Sequence, residues 1–592
     1  MLKRRAGCLA LLALTAAPAR ADNVLQERGQ RFQGVWSAGG VVAAEERRAG
    51  AVGAAVLRQG GNAVDAAVAT AFALAVTLPQ AGNLGGGGFL VLWLPGASPA
   101  AGRGCLGPGP SPELTLAGGT AVAVNFRETA PLAAHANLFL GADGSVDRHR
   151  ASRSLASTAV PGSVAGLLLA QRCYGRLPRA AVLAPAITLA AEGFVIDQPL
   201  ADALAASTPL LAADSTSRGR FLVGGRAPAA GTLLRQPELA TTLGRVAVAG
   251  EAGFYRGPVA GAVAALMQRR GGLITAADLA AYRAQLVAPL HGRFRGHAVV
   301  AMPPPGGGVS LLGLLALLEP FDLATMGANG AEALHLMAEA MNLVYRDRNA
   351  LLGDPDQVAL PLQQLLAPAY TSALRQRIDQ RRHRPADRLG PPPLQEGENT
   401  THLSVADQRG GLAALTTTLN FPFGNGVSVP GTGVLLNNEM DDFSAQPGQP
   451  NGFGLVQGKA NAIAPGRRPL SSMVPVLVFR PDGRPWLATG SPGGSRIITT
   501  VLQVLLNRII HGLNLATAVA APRLHSQHLP DRLDLEEGFS PDSRRLLEAR
   551  GHRLRRVPAM GAANSVELLP GGGSLGVVDP RRGNGPAVAE GP

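Results

Sequence analysis

The chain has 592 residues, of which 16% are charged and 46% are hydrophobic. This length and composition fit one large globule or more than one domain, and they exclude a disordered chain. The formal net charge of +13 does not indicate a nucleic-acid partner, because the arginines are scattered and no basic run is interleaved with aromatic residues. A basic surface suits an anionic small-molecule substrate equally well.

The first residues have the order of a secretory signal peptide. Three basic residues at 3–5 precede an apolar stretch at 6–17, and Ala19-Arg20-Ala21 is a small-x-small cleavage site. We therefore expect residues 1–21 to be removed and the mature protein to be periplasmic or secreted. The apolar stretch is too short to cross a bilayer, and no later apolar run reaches that length, so we expect no membrane span.

Residues 40–95 alternate between predicted helix and strand. Ala-rich helices are predicted at 51–58 and 63–78, and a glycine run at 85–88 leads into a strand at 89–94. In a dinucleotide-binding fingerprint the glycines follow a strand and open a helix, whereas here a helix comes first. The run therefore predicts a tight turn with close backbone packing.

A Gly/Pro-rich stretch at 96–119 predicts a surface excursion. It contains Cys105, while Cys173 lies near the end of a predicted helix at 165–174. In an oxidising compartment the two thiols could pair, but nothing in the sequence brings them together. A disulfide and two unpaired thiols both remain open, and two cysteines cannot form a cysteine-based zinc site.

A predicted strand at 121–126 leads into Arg127, and residues 160–350 are predicted to be mostly helical. In the helix at 334–348, His335 and Glu339 lie four residues apart on one face. Because a second histidine of suitable spacing is missing, we interpret them as an ordinary helical pair and expect no metal site. His525 and His528 are a weak metal signal, and no role is assigned to them.

Residues 380–399 are charged, proline-rich and poor in apolar residues, which predicts an exposed, flexible linker. It ends at Thr400, where alternating polar and apolar residues predict a strand. A turn at 408–411 and a second run at 412–420 complete a hairpin. We expect the second half of the chain to be β-rich up to Gly490 and then to form a helix at 495–510. These patterns predict an α/β fold with substantial antiparallel sheet.

Four segments of the second half resemble the γ-glutamyltranspeptidases, a family of N-terminal nucleophile hydrolases. They are NTTHLSV at 399–405, LNNEMDDF at 436–443, PLSSM at 469–473 and GSPGGSR at 490–496. The resemblance extends from about residue 41 to residue 579 and includes Arg127. It implies a four-layer αββα sandwich built from two autoproteolytic fragments of one precursor. The large fragment would be residues 22–399, and the small fragment would be residues 400–592.

The resemblance implies that the chain cuts itself between Asn399 and Thr400. A threonine hydroxyl is a poor nucleophile without a base, and the α-amino group that cleavage frees on Thr400 has a reference pKa of about 7.7–8.0. In this family Thr418 should hydrogen-bond the Thr400 hydroxyl. Gly493 and Gly494 precede a predicted helix and would expose two N–H groups as an oxyanion hole.

The same resemblance implies a pocket for a γ-glutamyl group. Arg127 offers a planar fork to the α-carboxylate, with hydroxyl donors from Ser471 and Ser472. The acceptors suited to the α-ammonium are Asn420, Glu439 and Asp442. The expected activity is cleavage of glutathione and related γ-glutamyl amides, with transfer of the acyl group to water or to an amino acid or peptide acceptor. The two fragments would associate as a heterodimer, and no cofactor is expected.

Two alternatives remain open. One is a glutaryl-type acylase of the same fold, resembling the cephalosporin acylases, against which Asp442 argues. The other is a non-catalytic γ-glutamyl-binding protein, against which the set Thr400, Thr418 and Gly493-Gly494 argues. The chain also departs from the family pattern, because Phe453 stands in the predicted lid loop (447–458) where a tyrosine is often found. The stretch at 96–119 resembles an insertion without a family role.

Overall fold

The computed structural model describes residues 33–107, 110–116, 118–386 and 400–591. The predicted signal peptide, most of the predicted linker and Asn399 lie outside these ranges. Within them, every helix is too short or too polar to cross a membrane.

The strands of the described residues are short and lie in both halves of the chain. In chain order they are β1 (Val35–Ser37), β2 (Val41–Ala44), β3 (Gly87–Pro95), β4 (Leu114–Leu116), β5 (Gly119–Phe126), β6 (Phe194–Val195), β7 (Leu233–Leu234), β8 (Gln285–Val287), β9 (Leu290–Phe294), β10 (His297–Ala301), β11 (Thr400–Ala406), β12 (Leu412–Thr418), β13 (Val476–Phe479), β14 (Pro485–Thr489), β15 (Leu524–His525), β16 (Leu533–Leu535), β17 (Leu554–Arg556), β18 (Ser565–Leu568), β19 (Ser574–Val577) and β20 (Val588–Ala589).

Helices fill most of the chain between β5 and β11 and flank the later strands. They are α1 (Arg47–Arg58), α2 (Ala63–Thr77), α3 (Arg148–Arg153), α4 (Ser163–Tyr174), α5 (Arg179–Glu192), α6 (Gln198–Ala206), α7 (Thr208–Ala212), α8 (Ser215–Phe221), α9 (Pro237–Ala249), α10 (Ala252–Tyr255), α11 (Gly257–Arg270), α12 (Ala276–Ala281), α13 (Gly308–Leu318), α14 (Leu323–Met326), α15 (Ala331–Leu351), α16 (Leu362–Leu365), α17 (Pro368–Arg375), α18 (Ile497–Ile509), α19 (Leu515–Ala520) and α20 (Pro541–Ala549).

Two large antiparallel sheets organise the molecule. One has the strand order β1-β19-β18-β14-β13-β10-β9, and the other has the order β20-β2-β11-β12-β3-β5-β4, with β8 also paired to β5. In both sheets, strands from before Thr400 pair with strands from after it. The two parts of the chain therefore share their sheet hydrogen bonds and would stay joined after a break at Thr400.

The two sheets pack face to face between helical layers. In the eight-stranded sheet, Leu90 and Leu403 point into a core formed with α1, α2 and α4, whereas Phe89 and Val91 point towards the seven-stranded sheet. Between the sheets, the rings of Trp93 and Phe479 meet edge to face at 5.0 Å. Helices α13, α15 and α18 cover the outer face of the seven-stranded sheet. The predicted four-layer αββα architecture is confirmed.

The glycine run before β3 permits the close packing that the sequence predicted. A Cβ atom on Gly86 would collide with the carbonyl oxygen of Thr418, and one on Gly88 would collide with that of Thr416. Both glycines therefore let β3 and the chain before it lie directly against β12, whose last residue is Thr418.

Cys105 and Cys173 form a disulfide with a Cα–Cα distance of 5.8 Å, which decides between the two alternatives left open by the sequence. The bridge ties the 96–119 excursion to the end of α4. Nearby, the Tyr174 hydroxyl donates to the Glu113 carboxylate at 3.0 Å. The excursion ends in β4, which pairs with β5, so it is anchored at both ends.

Two predictions from the sequence need correction. The segment between β12 and β13, all of it described, is a set of buried loops and not β-rich, because asparagine side chains there satisfy backbone groups that a sheet would otherwise pair. The first part of the predicted flexible linker, residues 380–386, also makes contacts with the rest of the protein. The His383 N–H donates to the Arg550 carbonyl at 2.7 Å, and Ala386 is buried.

Candidate active site

Thr400 is the first residue of the central strand β11, directly opposite Thr418 on β12. Its side chain is buried, and its hydroxyl donates to the Thr418 hydroxyl oxygen at 3.3 Å. The Asn420 N–H donates to the same Thr418 oxygen at 2.8 Å. The antiparallel register thus places two hydroxyl groups side by side where both strands end.

Asn83, which the sequence analysis did not assign to the site, fixes the end of β12. Its side-chain amide donates to the Thr418 carbonyl at 2.9 Å and to the Thr417 hydroxyl at 3.1 Å. Its carbonyl oxygen accepts from the Gly86 N–H at 3.0 Å. The polar residue beside the glycine run was the available signal, but its partner lies more than three hundred residues away.

A cavity next to Thr400 brings together most of the residues that the sequence nominated. Its lining comes from the end of β5, from α15, from β11 and β12, from the loops between β12 and β13, and from the turn at the start of α18. The nominated residues in this lining are Arg127, Thr400, Thr418, Asn420, Glu439, Asp442, Phe453, Ser471, Ser472 and Gly494. Gly493 immediately precedes Gly494 in the chain, and Asn399 lies outside the described residues.

Arg127 lies at the base of this cavity and is fully buried. Its two terminal nitrogens form ion pairs with Glu439 and Asp442, and its Nε donates to the Pro469 carbonyl at 3.1 Å. The family resemblance implied that the arginine and the two carboxylates bind opposite charges of the substrate. In the structure the guanidinium of Arg127 is paired with both carboxylates.

Burial and mutual charge set the ionisation of this cluster. Burial opposes the charged form of Arg127, but Glu439, Asp442 and Glu128 outweigh it and raise its pKa. Burial raises the pKa of Glu439 and of Asp442 above their usual values, although the Arg127 charge opposes both shifts. Burial likewise raises the pKa of Glu128 to about 7. An added cation near these carboxylates would favour their charged forms.

Arg348 is a second buried arginine of the cavity, and the sequence analysis missed it. It extends from α15 and donates to the Ser472 hydroxyl at 3.0 Å and to the Asn349 side chain at 3.0 Å. The Ser471 hydroxyl oxygen accepts from the Met473 N–H at 3.1 Å. Nothing in the helical pattern of α15 distinguishes Arg348 from a surface arginine.

Buried asparagines hold the loops that carry the acidic residues. Asn437 accepts from the Glu439 N–H at 3.0 Å and donates to the Gly85 carbonyl at 2.7 Å. Asn461 donates to the Asp442 carbonyl at 2.7 Å and accepts from the Leu470 N–H at 2.9 Å. Asn461 therefore ties the acidic loop to the serine loop.

Gly493 and Gly494 form the turn that precedes α18. Their φ angles are 131° and 55°, in the region that favours glycine. A Cβ on Gly494 would collide with the ring of Phe453, which itself packs edge to face on Phe421 at 5.4 Å. Phe453 thus closes over this turn by apolar contact.

His402, two residues after Thr400, is fully buried between β11, β12 and Gly490. Its Nδ1 lies 2.9 Å from the Thr416 hydroxyl, and its Nε2 lies 2.9 Å from the Ser404 hydroxyl. Burial lowers its pKa from 6.5 to about 3. Histidine at this position is therefore neutral in the folded protein over the usual pH range.

We expect His402 to make the fold sensitive to acid. Between pH 6.5 and about 3 the unfolded chain binds one more proton at this residue than the folded chain, so the free energy of unfolding falls as pH falls, by at most about 1.4 kcal/mol per pH unit. Denaturant titrations at pH 6 and pH 4 should show a smaller loss in His402→Gln than in the wild type. The exposed control His149→Gln should keep the wild-type loss, and parallel losses in all three would contradict the assignment.

Two stacked sheets between helical layers, with a buried threonine opening a central strand beside a cavity, define the N-terminal nucleophile hydrolase type of fold. A similar solved structure is that of the cephalosporin acylase from Bacillus halodurans. It is 28% identical, with a TM-score of 0.79, over 95% of this chain and 97% of that chain.

The sequence model of the family described as Gamma-glutamyltranspeptidase matches residues 49–100 and 114–589, and the chain belongs to this family. A glutathione hydrolase proenzyme of Escherichia coli (strain K12) is 44% identical over 554 residues, which cover 93% of this chain and 92% of the relative. The Acylase ACY 1 proenzyme of Pseudomonas sp. (strain SE83) is 34% identical over 562 residues, 93% of this chain and 94% of the relative. The unmatched residues 101–113 fall inside the predicted insertion.

Proposed function

We propose that the chain is a self-cleaving γ-glutamyl hydrolase and transferase that acts on glutathione and related γ-glutamyl amides. Cleavage between Asn399 and Thr400 would give a large fragment of residues 22–399 and a small fragment of residues 400–592. The observation that carries the proposal is the buried Thr400 hydroxyl, which lies beside Thr418 in the cavity that also holds the Arg127 cluster.

Self-cleavage uses the Thr400 hydroxyl as nucleophile, followed by water. The hydroxyl oxygen attacks the Asn399 carbonyl carbon, its proton passes to the Thr400 nitrogen as the C–N bond breaks, and the chain is then joined through an ester. Water then hydrolyses that ester, which leaves a carboxylate on Asn399 and a free amine on Thr400. Before this step the Thr400 nitrogen is an amide without basic character, so the precursor is inactive.

After cleavage, the Thr400 amine takes the proton from its own hydroxyl. The oxygen attacks the γ-carbonyl carbon of the substrate, and the N–H groups of Gly493 and Gly494 stabilise the negative charge on the carbonyl oxygen. The amine then returns the proton to the leaving nitrogen as the γ-glutamyl–threonine ester forms. Water or an acceptor amine opens this ester and frees Thr400. In the uncleaved chain the Thr418 hydroxyl oxygen accepts from the Thr400 hydroxyl. Once the amine takes that proton, the Thr418 hydroxyl would donate to the Thr400 oxygen and orient it.

Recognition of the γ-glutamyl head group rests on the adjoining charges of Arg127, Glu439 and Asp442. The α-carboxylate and α-ammonium of the substrate are attached to one carbon, so their partners must also lie close together. Arg127 would bind the carboxylate, with the hydroxyls of Ser471 and Ser472, while Asn420, Glu439 and Asp442 would bind the ammonium. Arg348, through its bond to Ser472, would hold that serine in place.

Export would place the enzyme in a periplasm or outside the cell. The support is the signal-peptide pattern at residues 1–21 together with the Cys105–Cys173 disulfide, since disulfides persist in oxidising compartments.

The alternative is a glutaryl-type acylase, favoured by the similarity to proteins named acylases. Asp442 distinguishes the two activities, because a glutaryl group has no α-ammonium. Asp442→Asn keeps the shape of the side chain and removes its charge. For a γ-glutamyl anilide, the enzyme should lose about 2 kcal/mol or more of transition-state binding, which lowers kcat/KM. The loss for the matching glutaryl anilide should be much smaller.

The neighbouring acid provides a matched control. Asp441 is also buried, and its carboxylate accepts from the Gly452 N–H at 3.0 Å in the predicted lid loop. Asp441→Asn should change kcat/KM for the two anilides by the same factor. Equal losses on both substrates in Asp442→Asn would assign that residue to the fold and leave the acylase activity as the better description.

A further inference from the structure

A second polar cluster lies apart from the Thr400 cavity, where α15 meets the C-terminal part of the chain. His335 and Glu339 extend from α15, and His552 approaches them from the loop before β17. Their ligand atoms all lie within 4.8 Å of one another, and all three side chains are buried. His552 is thus the second histidine that the sequence pattern around His335 and Glu339 lacked.

The hydrogen bonds of His335 orient its free nitrogen into the cluster. Its Nε2 lies 2.7 Å from the Asp379 carbonyl oxygen, which fixes Nε2 as the donor. Its Nδ1 then carries the lone pair and accepts from His552 Nε2 at 2.7 Å. A bound ion would replace the proton on His552 Nε2, with His552 shifting to its Nδ1-protonated form. An outer hydrogen bond from the non-coordinating nitrogen to a carbonyl is the usual support of a metal-binding histidine.

A third imidazole completes the cluster. His383 Nδ1 lies 2.6 Å from a Glu339 carboxylate oxygen, and its Nε2 lies 2.9 Å from an Asp531 carboxylate oxygen. The His383 and His552 rings are 4.5 Å apart. Three imidazoles and two carboxylates therefore converge in one largely buried region that has its own small cavity, lined in part by His383, Asp531 and His552.

We propose that this cluster binds a divalent transition-metal ion of the zinc class. The ligands would be His335 Nδ1, His552 Nε2 and a Glu339 oxygen. His383 Nδ1 would be a fourth ligand after it releases its proton to solvent and exchanges its bond to Glu339 for the ion. Imidazole nitrogens with one carboxylate are a ligand set that suits Zn²⁺. With three neutral imidazoles, the two carboxylates of Glu339 and Asp531 balance the charge of a divalent ion.

The ion would join the two fragments of the processed enzyme, which rests on the proposed cleavage at Thr400. His335, Glu339 and His383 precede the cleavage site, and His552 follows it. His383 lies close to the end of the described large-fragment residues, 16 positions before the C-terminus that cleavage after Asn399 would create. The site is therefore structural. Loss of the ion should leave the chemistry at Thr400 intact and should weaken the attachment of the large-fragment residues around His383.

The test uses Co²⁺ as a spectroscopic probe on full-length protein freed of metal with a chelator. The wild type should bind one Co²⁺ per chain and show the visible absorption of a nitrogen- and oxygen-ligated ion of low coordination number. His335→Gln and His552→Gln should each weaken binding at least about 10- to 100-fold, since loss of even an outer-shell partner costs that much. The exposed control His149→Gln should bind as the wild type does. All three variants should keep γ-glutamyl hydrolysis within about twofold of the wild type, which also shows that they fold.

Two further measurements complete the test. The Thr400→Ala chain, in which cleavage is expected to fail, should bind Co²⁺ as tightly as the wild type, so failure of the proposed function would not be mistaken for failure of the metal site. Zn²⁺ should raise the melting temperature of the metal-free wild type by several degrees. Absence of stoichiometric Co²⁺ binding in the wild type, or binding unchanged in both histidine variants, would overturn the proposal. If neither histidine variant folds, unchanged Co²⁺ binding by Glu339→Gln would overturn it.

Discussion

A chain carrying Thr400→Ala should remain in one piece and should not hydrolyse γ-glutamyl substrates. The variant lacks the hydroxyl that attacks Asn399, so the amine that would serve as the base is never released. Removal of a nucleophile that acts together with its base should lower kcat by at least about 10⁴-fold. Denaturing electrophoresis checks the cleavage, and release of a chromogenic amine from a γ-glutamyl anilide checks the activity.

Two further variants serve as controls for Thr400→Ala. Thr400→Ser retains a hydroxyl on the same backbone and should cleave and turn over, more slowly than the wild type. Thr401→Ala removes the hydroxyl of the next buried residue on the same strand and should still be cleaved at residue 400. A separate small fragment in Thr400→Ala would show that another group performs the cleavage.

Arg127→Lys should raise KM strongly for γ-glutamyl substrates without preventing cleavage at Thr400. A lysine ammonium cannot reproduce the planar fork that reaches both Glu439 and Asp442. Loss of a charge-assisted hydrogen bond costs about 1.5–3 kcal/mol, so kcat/KM should fall about 10- to 150-fold. Steady-state kinetics with a γ-glutamyl anilide measure the change.

The buried ion pairs of Arg127 also stabilise the loops of the site, so the effect on substrate must be separated from a loss of stability. Arg523 is a matched control, because it is equally buried and pairs with Asp579 at 2.5 Å. Arg523→Lys should lower the melting temperature as Arg127→Lys does, but it should leave KM within about twofold of the wild type. An unchanged KM in Arg127→Lys would remove Arg127 from the substrate site.

The sequence predicted the hairpin of β11 and β12 well because the alternation and the turn at 408–411 determine the register between them. That register alone places Thr400 opposite Thr418. The family resemblance nominated the other residues that meet in the cavity. Their mutual contacts were not predictable, since the ion pairs of Arg127 join residues more than three hundred positions apart.

The sequence failed where side chains replace regular secondary structure. The expectation of β-rich structure failed between β12 and β13, where the side chains of Asn437 and Asn461 hold irregular loops together by hydrogen bonds. The role of Arg348 was not predicted, because helical periodicity indicates the face on which a residue lies and not the distant residue that it contacts. The partner of His335 was missed for the same reason, since His552 lies 217 residues further along.

The most direct test of the central claim is to trap the acyl-enzyme of the wild type. Purified protein is mixed with a γ-glutamyl anilide, quenched in acid within the first turnovers, digested and examined by peptide mass spectrometry. We predict a small fragment that begins at Thr400 and carries one γ-glutamyl group as an ester on the Thr400 hydroxyl. An active protein that begins at another residue, or an acyl group on a different side chain, would contradict the assignment of Thr400 as the nucleophile.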